Sequence, residues 1–453
     1  MPYETSNPSG PPAARRKIAV IGSGIAGMSA AWMLDMHHDI TVFESGDHVG
    51  GHSNTVNSGA AHGGLDVDTG FIVYNDVNYP NLVALFEHLG VPTKASQMSF
   101  GASVDGGAFE YAGTGLNGLL GQRRNFLSRR FWAMLADIVR FYRSAPAMAA
   151  RADYLDVTLG DFLRAENYSQ AFVSDHILPM GAAIWSTTAR DMLDFPLASF
   201  VHFFESHGLL NFVNRPQWRT VDGGSKAYVE RLTASFADKI QHTGVRRVFR
   251  KAEGVELLLE NGERVAFDEV VIAAHADDAL ALLDAPSDQE RGLLGSFRYT
   301  DNETVLHSDE RLMPKRRRVW SSWNYIGDSD GTGERNLTVS YWMNELQGLD
   351  KQHPLFVTLN PHVAPRPETV IRSFSYRHPL FDQAAMTAQR RLWDLQGRDR
   401  IWFCGSYFGY GFHEDALQAG LAVGEALTGA KRPWALSAQK SRIHMGAAPE
   451  MVR

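Results

Sequence analysis

The sequence predicts an α/β fold in which a parallel sheet is covered by helices. Near the start of the chain, an apolar strand at 17–22 leads through a glycine turn into a helix at 25–36, and a second strand follows at 40–44. A strand, a glycine turn and an apolar helix recur at 400–427. Strands that alternate with helices in this way build parallel sheets. The expected architecture is a Rossmann-type domain with an α+β part interleaved into it.

Composition places the chain among globular proteins. It has 453 residues, of which 44% are hydrophobic and 21% are charged, which is enough for a large core. A net charge of -7 argues against a nucleic-acid partner, because such proteins present basic surfaces. The single cysteine, Cys404, excludes an internal disulfide and a thiolate metal cage, as is typical of a reducing compartment such as the cytoplasm.

The N-terminal residues 1–17 are rich in Pro, Ser and Gly and are predicted to form a disordered leader. The apolar run at 18–34 follows three basic residues, as in a signal peptide, but glycines interrupt it and a strand follows. No segment offers the ~20 consecutive apolar residues that span a bilayer. We therefore expect a cytoplasmic protein whose membrane contact, if any, is peripheral at the inner membrane surface.

The glycine turn has the G-x-G-x-x-G spacing of a dinucleotide site, at Gly22, Gly24 and Gly27. The first glycine permits the tight turn, the second allows a pyrophosphate to approach, and the third lets the helix pack on the strand. Glu44 ends the next strand, where a carboxylate accepts from ribose hydroxyls and repels a 2′-phosphate. NAD and FAD both remain open, and an ordinary strand-to-helix turn is the alternative. The predicted contacts of the ADP half are Gly22, Gly24, Ile25, Ala26, Gly27, Glu44 and Ser45.

The next two segments resemble the flavin amine oxidase and phytoene desaturase superfamily. One contains the pair Gly50-Gly51 followed by His52, and the other ends in Gly70-Phe71. In that superfamily the glycine pair lies along the FAD pyrophosphate, and the second segment passes near the flavin. Members usually carry arginine where this chain has His52, so an imidazole that can donate a hydrogen bond replaces the usual cation. The resemblance implies FAD as the cofactor, with these five residues among its contacts.

Two distant segments complete this resemblance. Residues 263–283 are predicted to form a hairpin strand, a buried strand of the central sheet and the start of a helix. Near the C-terminus, a strand and a glycine turn precede the helix at 417–427, whose superfamily counterpart directs its positive end at the flavin. Ser406 stands where the superfamily usually has Asp. Cys404 lies in an apolar strand, so we expect FAD to be noncovalent. The resemblance assigns further cofactor contacts to Val248, Ala274, Gly405, Ser406, His413 and Ala416.

Interior blocks resemble one group within the superfamily more specifically. They include 180–186, 215–225 and 410–415. The group comprises FAD-binding proteins related to the N-terminal oxidase-like domain of plant cyclopropane fatty acid synthases. This resemblance covers nearly all of 17–430, and it implies an FAD-binding domain of the glutathione-reductase-like, amine oxidase type with an interleaved substrate domain. The group's association with lipid-methylating enzymes implies a lipid connection and a lipid methyltransferase as a partner.

The cofactor domain is predicted to be discontinuous. The glycine motif does not recur, so we expect no second domain for NADPH, and the electron acceptor is oxygen, a quinone or another carrier. The predicted boundaries are 18–80, 215–290 and 395–430 for the cofactor domain, 81–214 and 291–394 for the substrate domain, and 431–453 for a C-terminal tail.

Candidate catalytic residues lie in the turn before the last helix. His413 can act as a base or a hydrogen-bond donor, with Glu414 and Asp415 to orient it. Alternatively, the two acids only complement the helix dipole. The walls of a substrate tunnel are predicted to include the aromatic residues Trp185, Trp218 and Tyr410. Core packing is the alternative for each of these rings.

Other chemistry has little support in the sequence. The 17 histidines are scattered without a Cys or carboxylate partner set, so we expect no metal site. No hydrolase nucleophile motif is present. The basic, aromatic segment 122–151 is predicted to form a helix that either covers the core or rests on anionic lipid. The apolar face of that helix is predicted to comprise Phe131, Leu135, Ile138 and Tyr142.

Three functions are consistent with these features. The first is an FAD-dependent oxidase or dehydrogenase that moves a hydride from a hydrophobic, fatty-acyl or lipid-like substrate to flavin N5. The second is a flavin-dependent amine oxidase, although the aromatic cage and the lysine expected of one cannot be assigned. The third is a flavoprotein partner subunit of a lipid-modifying methyltransferase, with little turnover of its own.

Overall fold

A computed structural model describes residues 14–151, 154, 157–185, 189–211, 215–328, 338–436 and 440–446. Most of the predicted leader, and Ser186, lie outside these ranges. The strands, in chain order, are β1 Lys17–Ile21, β2 Asp39–Phe43, β3 Thr55–Asn57, β4 Asp66–Asp68, β5 Tyr74–Asn75, β6 Thr93–Ser96, β7 Phe100–Val104, β8 Phe109–Ala112, β9 Trp218–Val221, β10 Ile240–Gln241, β11 Val245–Lys251, β12 Gly254–Leu259, β13 Arg264–Phe267, β14 Glu269–Ile272, β15 Arg298–His307, β16 Trp323–Gly327, β17 Thr338–Trp342, β18 Phe356–Leu359, β19 Val370–Leu380 and β20 Ile401–Phe403. The helices are α1 Ile25–Asp35, α2 Pro80–Leu89, α3 Leu116–Leu119, α4 Arg129–Ala149, α5 Leu159–Ala165, α6 Gln170–Phe172, α7 Leu178–Trp185, α8 Ala189–Leu193, α9 Leu197–Ser206, α10 Lys226–Thr233, α11 Ala276–Leu282, α12 Asp288–Leu294, α13 Met343–Leu346, α14 Gln383–Gln389 and α15 His413–Thr428.

The central sheet has five parallel strands in the order β10-β2-β1-β14-β20. Val20 lies level with Val42 on one side and with Val271 on the other, and all three are fully buried. Apolar residues fill these strands because both faces of a parallel sheet are covered. The α/β fold class predicted from the sequence is confirmed.

The last residues of the predicted leader make contacts in the structure. Lys17 is the first residue of β1. Arg16 pairs with Glu269 on β14, with 2.8 Å between nitrogen and oxygen, and also donates to the carbonyl oxygen of Leu427. Arg16, just before the first strand, therefore ties the sheet to the last helix, so the last residues of the predicted leader contribute to the fold.

The first and last helices pack along each other beside the sheet. A Cβ at Gly420 of α15 would lie 2.1 Å from the carbonyl oxygen of Ala26 in α1, and one at Gly424 would lie 2.5 Å from Cβ of Met33. Only glycine allows the two backbones to come this close. Because the contacts advance in the same direction along both helices, the two N-termini lie at the same end of the pair.

The larger second sheet is mixed, with the strand order β19-β15-β18-β17-β16-β7-β8. Its neighbouring strands are antiparallel except for the pair β7 and β16. The helices α3 to α9 lie in the connection between β8 and β9. Within it, α6, a π-helical turn at Val173–Ile177 and α7 follow one another without a break.

Helix α4 turns its predicted apolar face toward the protein. Phe131 is 1% exposed, and Ile138 and Tyr142 are each 8% exposed. This face therefore covers the core, which was one of the two alternatives for this segment, and it does not rest on lipid. Among the described residues, no helix combines the length and the apolar character needed to cross a membrane.

Candidate cofactor and active site

The first glycine turn forms a cradle between β1 and α1. Gly22 has a φ of +100°, and a Cβ there would lie 2.6 Å from the carbonyl oxygen of Ala273. A Cβ at Gly27 would lie 1.9 Å from the carbonyl oxygen of Gly22, whereas a Cβ at Gly24 would meet nothing within 4 Å. Gly24 is the N-cap of α1. The open space therefore lies at a helix end whose free N–H groups attract phosphate.

The second glycine pair lies against the first turn. The N–H of Gly50 donates to the carbonyl oxygen of Ser23 at 3.1 Å. A Cβ at Gly51 would lie 3.1 Å from Cα of Gly24. Both Gly50 and Gly51 have positive φ, a conformation that glycine adopts without strain. The two motifs, which are separate in sequence, thus form one continuous wall of the cradle.

Glu44 reaches back from the end of β2 to the first glycine turn. One carboxylate oxygen accepts from the N–H and the hydroxyl of Ser23 at 2.8 and 2.5 Å. The other accepts from the N–H of Gly46 at 2.7 Å. A carboxylate has roughly four acceptor positions, so these bonds leave capacity for about one ribose hydroxyl. Ser45, next to it, is exposed.

His52 follows the glycine pair and lies within a group of rings. Its imidazole centroid is 5.0 Å from that of Tyr376, 5.8 Å from that of His378 and 6.1 Å from that of His275. Burial, helped by the nearby His275, lowers the pKa of His52 to about 4. The ring is therefore neutral at pH 7, and it can offer a hydrogen bond but no fixed positive charge.

Gly70 and Phe71 pass directly beside His52. A Cβ at Gly70 would lie 2.3 Å from the carbonyl oxygen of His52, and the N–H of Phe71 donates to that oxygen at 2.7 Å. The Phe71 ring stacks on the His413 imidazole with centroids 3.9 Å apart and planes 9° apart. This stack joins two segments of the predicted site that are far apart in the chain.

His413 begins α15 and contacts two residues that were not predicted as site residues. Its Nε2 lies 2.7 Å from the hydroxyl of Tyr228, and that hydroxyl is also hydrogen-bonded to Ser53 Oγ. Burial lowers the pKa of His413 to about 3 and raises the pKa of Tyr228. Both side chains are therefore neutral at pH 7. So low a pKa favours a hydrogen-bonding role for His413 over that of a general base.

Glu414 holds α15 to α2. Its fully buried carboxylate accepts from the N–H and the side-chain amide of Asn81 at 3.0 and 2.8 Å, and from the N–H of Leu82 at 3.0 Å. Gln418 donates a further bond at 2.8 Å. These bonds use roughly all the acceptor positions of a carboxylate. The geometry supports a structural role, and catalysis by Glu414 stays a prediction.

Asp415 forms a buried ion pair with a residue of the predicted C-terminal tail. Arg442 approaches one carboxylate oxygen at 3.2 Å, and the N–H of Phe412 donates to the other at 2.9 Å. Arg442 also donates to the carbonyl oxygen of Asn78. Burial raises the pKa of Asp415, and Arg442 opposes the shift only in part. Asp415 thus caps α15 and anchors the tail, which no local sequence pattern indicates.

Three other predicted contacts lie at the converging helix N-termini. Ile25 and Ala26 are the first two residues of α1, and Ala416 lies in the first turn of α15. Two helix dipoles therefore direct their positive ends toward the same region, which favours a bound anion or a charge-rich ring edge.

The ends of β14 and β20 bring together another part of the predicted site. A Cβ at Gly405 would lie 3.3 Å from the carbonyl oxygen of Ala274, and Ser406 begins the 3₁₀ turn that follows. Val248 is placed differently. It lies in β11 with no exposed surface and is paired with Leu257, so the structure does not bring it into the open space.

The predicted substrate-lining aromatics separate into two groups. Trp185 is 7% exposed and packs on Phe195 and Phe203 at centroid distances of 4.8 and 4.7 Å, as a core residue does. Trp218 and Tyr410 are only half-buried. Core packing therefore accounts for Trp185, whereas the other two keep surface that a ligand can contact.

Four rings form a continuous stack beside α15, which we call the aromatic layer. It comprises Phe203, His207, Trp218 and Phe412. Phe412 stacks on Phe203 at 4.9 Å and 21°, and Phe203 stacks on His207 at 3.8 Å and 26°. Trp218 lies 6.4 Å beyond His207 at 27°. Because Phe412 directly precedes His413, the layer begins at the N-terminus of α15.

Burial or an ion pair limits the chemistry of the remaining reactive groups. Cys404 is fully buried, and burial raises the pKa of its thiol, so it is not available for a covalent flavin bond. Among the described residues, His275, Asp277 and Asp278 form one cluster of metal-ligand type. Arg377 pairs with both of these carboxylates, which places a positive charge where a cation would bind.

The residues of the cradle fit FAD. Open space at Gly24 faces the N-terminus of α1, where a pyrophosphate would bind. Glu44 has capacity for a ribose hydroxyl, and the N-terminus of α15 provides a second positive helix end. The second glycine pair and the α15 segment extend the site beyond what an ADP group alone needs. The fold and this site define a Rossmann-type flavoprotein.

The sequence matches the family described as flavin containing amine oxidoreductase over residues 25–428. The chain belongs to this family, and it is an FAD-dependent oxidoreductase that binds its cofactor noncovalently. The FAD predicted from the sequence, and the superfamily that it resembles, are confirmed. A comparison with curated protein sequences finds no match.

Solved structures of this fold extend over nearly the whole chain. A CLA-producing fatty acid isomerase from P. acnes has 16% identity and a TM-score of 0.61, covering 91% of this chain and 98% of its own. Putrescine oxidase bound to putrescine has 15% identity and a TM-score of 0.63, covering 92% and 100%. Cyclohexylamine oxidase from Brevibacterium oxydans IH-35A has 16% identity and a TM-score of 0.58, covering 91% and 100%. At such identities the likeness establishes the fold alone.

Proposed function

We propose that this enzyme oxidises a hydrophobic, uncharged substrate of fatty-acyl or lipid-like chemistry at the aromatic layer. The observation that carries the proposal is the layer itself, an apolar surface that begins one residue before His413. Phe412 and Trp218 retain exposed surface at its two ends, whereas Phe203 and His207 are buried between them. Such a surface binds an apolar chain and keeps water away from it.

The charges around the layer support an uncharged substrate. An ammonium group buried in a pocket needs a carboxylate partner. The two nearest predicted acids are already engaged, Asp415 by Arg442 and Glu414 by four hydrogen bonds to α2 and Gln418. Neither carboxylate is therefore free to bind a cationic amine.

His207 supplies one polar group within the layer. Its Nδ1 lies 2.9 Å from the carbonyl oxygen of Phe203, so this nitrogen carries the proton and donates it. Its Nε2 is buried and has no hydrogen-bond partner among the described residues. Burial lowers the pKa of His207 to about 3, which keeps this nitrogen a neutral acceptor. An apolar substrate that carries one hydroxyl or N–H group would satisfy it.

The division of labour in the reaction follows from these contacts. When bound, FAD supplies the acceptor for a hydride from a substrate carbon. The glycine cradle and Glu44 hold the cofactor, and the aromatic layer binds and orients the apolar substrate. Neutral His413, fixed by Tyr228 and by stacking on Phe71, offers a hydrogen bond at the start of α15.

An anaerobic reduction screen tests the proposal. Purified holoenzyme is mixed with uncharged esters of unsaturated fatty acids, with acyl lipids or with alkyl amines, and loss of the oxidised flavin absorbance is followed. We expect bleaching by the acyl compounds and none by the amines. Bleaching by amines alone would favour the amine oxidase interpretation, and bleaching only after a lipid methyltransferase is added would favour the partner subunit.

A variant pair links the result to the aromatic layer. Phe412→Ala removes a ring of the layer and should slow flavin reduction about tenfold or more, because positioning of the substrate is lost. Phe249→Ala serves as the matched control, because it also removes a half-buried ring. Phe249 lies in β11, whose sheet does not include β9, the strand that carries Trp218 of the aromatic layer. Equal rates in the two variants would contradict a substrate site at the layer.

A further inference from the structure

We infer that one surface of the protein docks on an anionic lipid bilayer. We call it the docking patch, and it comprises Arg123, Arg124, Phe126, Leu127, Arg129 and Trp132. It lies on the 3₁₀ turn Arg123–Leu127 and on the first turn of α4. The inference does not depend on the substrate of the enzyme.

The apolar part of the patch projects into solvent. Leu127 is 87% exposed, Phe126 58% and Trp132 48%, and these large apolar side chains lie within seven residues of one another. Their arrangement is ordered, because the indole N–H of Trp132 donates to the carbonyl oxygen of Phe126 at 2.8 Å and the two rings meet edge to face at 5.7 Å. A preformed apolar tip of this kind marks an interaction surface.

The surroundings of this tip are strongly basic. The segment 122–151 contains seven arginines and a single acid, Asp137, in a chain whose net charge is -7. Some of these arginines are already engaged, since Arg130 pairs with Asp175 and Arg140 with Asp137. Arg123 and Arg129 are exposed and form no ion pair with the described residues.

A cleft beside the tip adds a second cationic element. Arg318, from the turn Arg317–Val319, lines an open cleft together with Arg123, Phe126 and Leu120. Arg318 is exposed and, within the described part of the chain, has no acidic partner. Two guanidinium groups next to an apolar ring match the phosphate and the upper acyl carbons of an anionic lipid.

The combination favours a bilayer over an acidic protein as the occupant. Leucine and phenylalanine tips insert among acyl chains, tryptophan prefers the interface, and arginines attract anionic headgroups. The apolar face of α4 predicted from the sequence does not take part, since Phe131 and Ile138 are buried against the core. The lipid contact instead uses the N-terminal end of the helix.

Vesicle co-sedimentation of the holoenzyme tests the inference. Vesicles of phosphatidylcholine alone are compared with vesicles that contain phosphatidylglycerol, at low and high salt. We expect binding to the anionic vesicles, weakened by salt because the arginines are exposed. No binding to anionic vesicles at low salt would overturn the inference.

Three variants separate insertion from nonspecific charge attraction. Leu127→Ser combined with Trp132→Ser should weaken binding about 100-fold, at about tenfold for each apolar side chain that leaves the acyl region. Arg123→Gln combined with Arg129→Gln should weaken it about 25-fold, at about fivefold per arginine. Met36→Ser, at a side chain that is 80% exposed outside the patch, is the control.

The bound flavin reports folding in each variant, because none of these side chains lies at the cofactor cradle. Binding that survives the Leu127→Ser/Trp132→Ser change but is abolished by salt would show attachment by charge alone and would overturn the insertion of the apolar tip into the bilayer. If Met36→Ser weakens vesicle binding as much as the changes in the docking patch do, the location assigned to the patch is wrong.

Discussion

Replacing Gly24 with alanine is expected to separate cofactor binding from folding. The backbone of Gly24 has a φ of -64°, which any residue adopts, and a Cβ there meets no protein atom within 4 Å. The free energy of unfolding of the apoprotein should therefore fall by only about 0.5–1 kcal/mol, because alanine is a poorer N-cap residue than glycine. The new methyl group instead occupies the space in front of the N-terminus of α1.

The loss of FAD affinity follows from the hydrogen bonds that this methyl group would prevent. A hydrogen bond to a charged oxygen contributes about 1.5–3 kcal/mol. If the methyl group prevents two bonds between N–H groups at the start of α1 and the pyrophosphate, the free energy of FAD binding falls by about 3–6 kcal/mol. Because 1.4 kcal/mol corresponds to about tenfold in affinity, the Kd for FAD should rise by about 100-fold to 10,000-fold.

Titration of apoprotein with FAD, followed by flavin fluorescence, measures this change, and urea unfolding of the apoprotein measures stability. Gly292→Ala is the control, since a Cβ there also meets no atom within 4 Å but lies at an exposed position of helix α12, away from the cradle. It should leave the Kd unchanged and stabilise the helix by about 0.5–1 kcal/mol. An affinity of Gly24→Ala within about threefold of the wild type would refute the cradle at this turn.

Glu414→Ala should lower the free energy of unfolding in urea by about 2–5 kcal/mol, because the amides of Asn81 and Leu82 lose their acceptor; a smaller loss would show that water replaces it. Arg442→Met should cost about 3–5 kcal/mol by leaving Asp415 buried without a cation, and a second change, Asp415→Asn, should recover part of the loss. Burial lowers the pKa of His176 to about 3 from an ordinary value of 6.5. As the pH falls, this imidazole therefore binds a proton in the unfolded chain before it does so in the folded protein. Stability should therefore be complete above pH 6.5 and fall by about 1.4 kcal/mol per pH unit for this residue as the pH drops toward 3, and a pH-independent midpoint in urea would contradict it.

The cofactor cradle could be predicted from the sequence because its parts are local. Gly22, Gly24, Gly27 and Glu44 belong to one strand, turn, helix and strand. Within that unit, Gly27 packs against the carbonyl oxygen of Gly22, and Glu44 accepts from the N–H of Ser23. Spacing alone carries such information, since a short segment can adopt few geometries that satisfy its backbone. The fold class followed from the same periodicity of strands and helices.

The neighbours of His413 could not be predicted in this way. Ser53 lies 360 positions before His413 in the chain, and Tyr228 lies 185 positions before it. Arg442 belongs to a segment that reads as a tail, yet it neutralises a buried aspartate at the start of α15. No local pattern encodes these pairs, because packing of whole elements brings them together.

Helix α4 shows the same division between sequence and structure. Its periodicity correctly separates an apolar face from a basic one, because side chains repeat every 3.6 residues along any helix. Periodicity does not say what covers the apolar face, and the structure buries it while exposing Phe126 and Leu127 on the preceding turn. The sequence by itself determined the local geometry of the cofactor turn and the fold class. The tertiary structure alone decided which side chains face the core, the site or the solvent, because burial depends on contacts between segments that are distant in the chain.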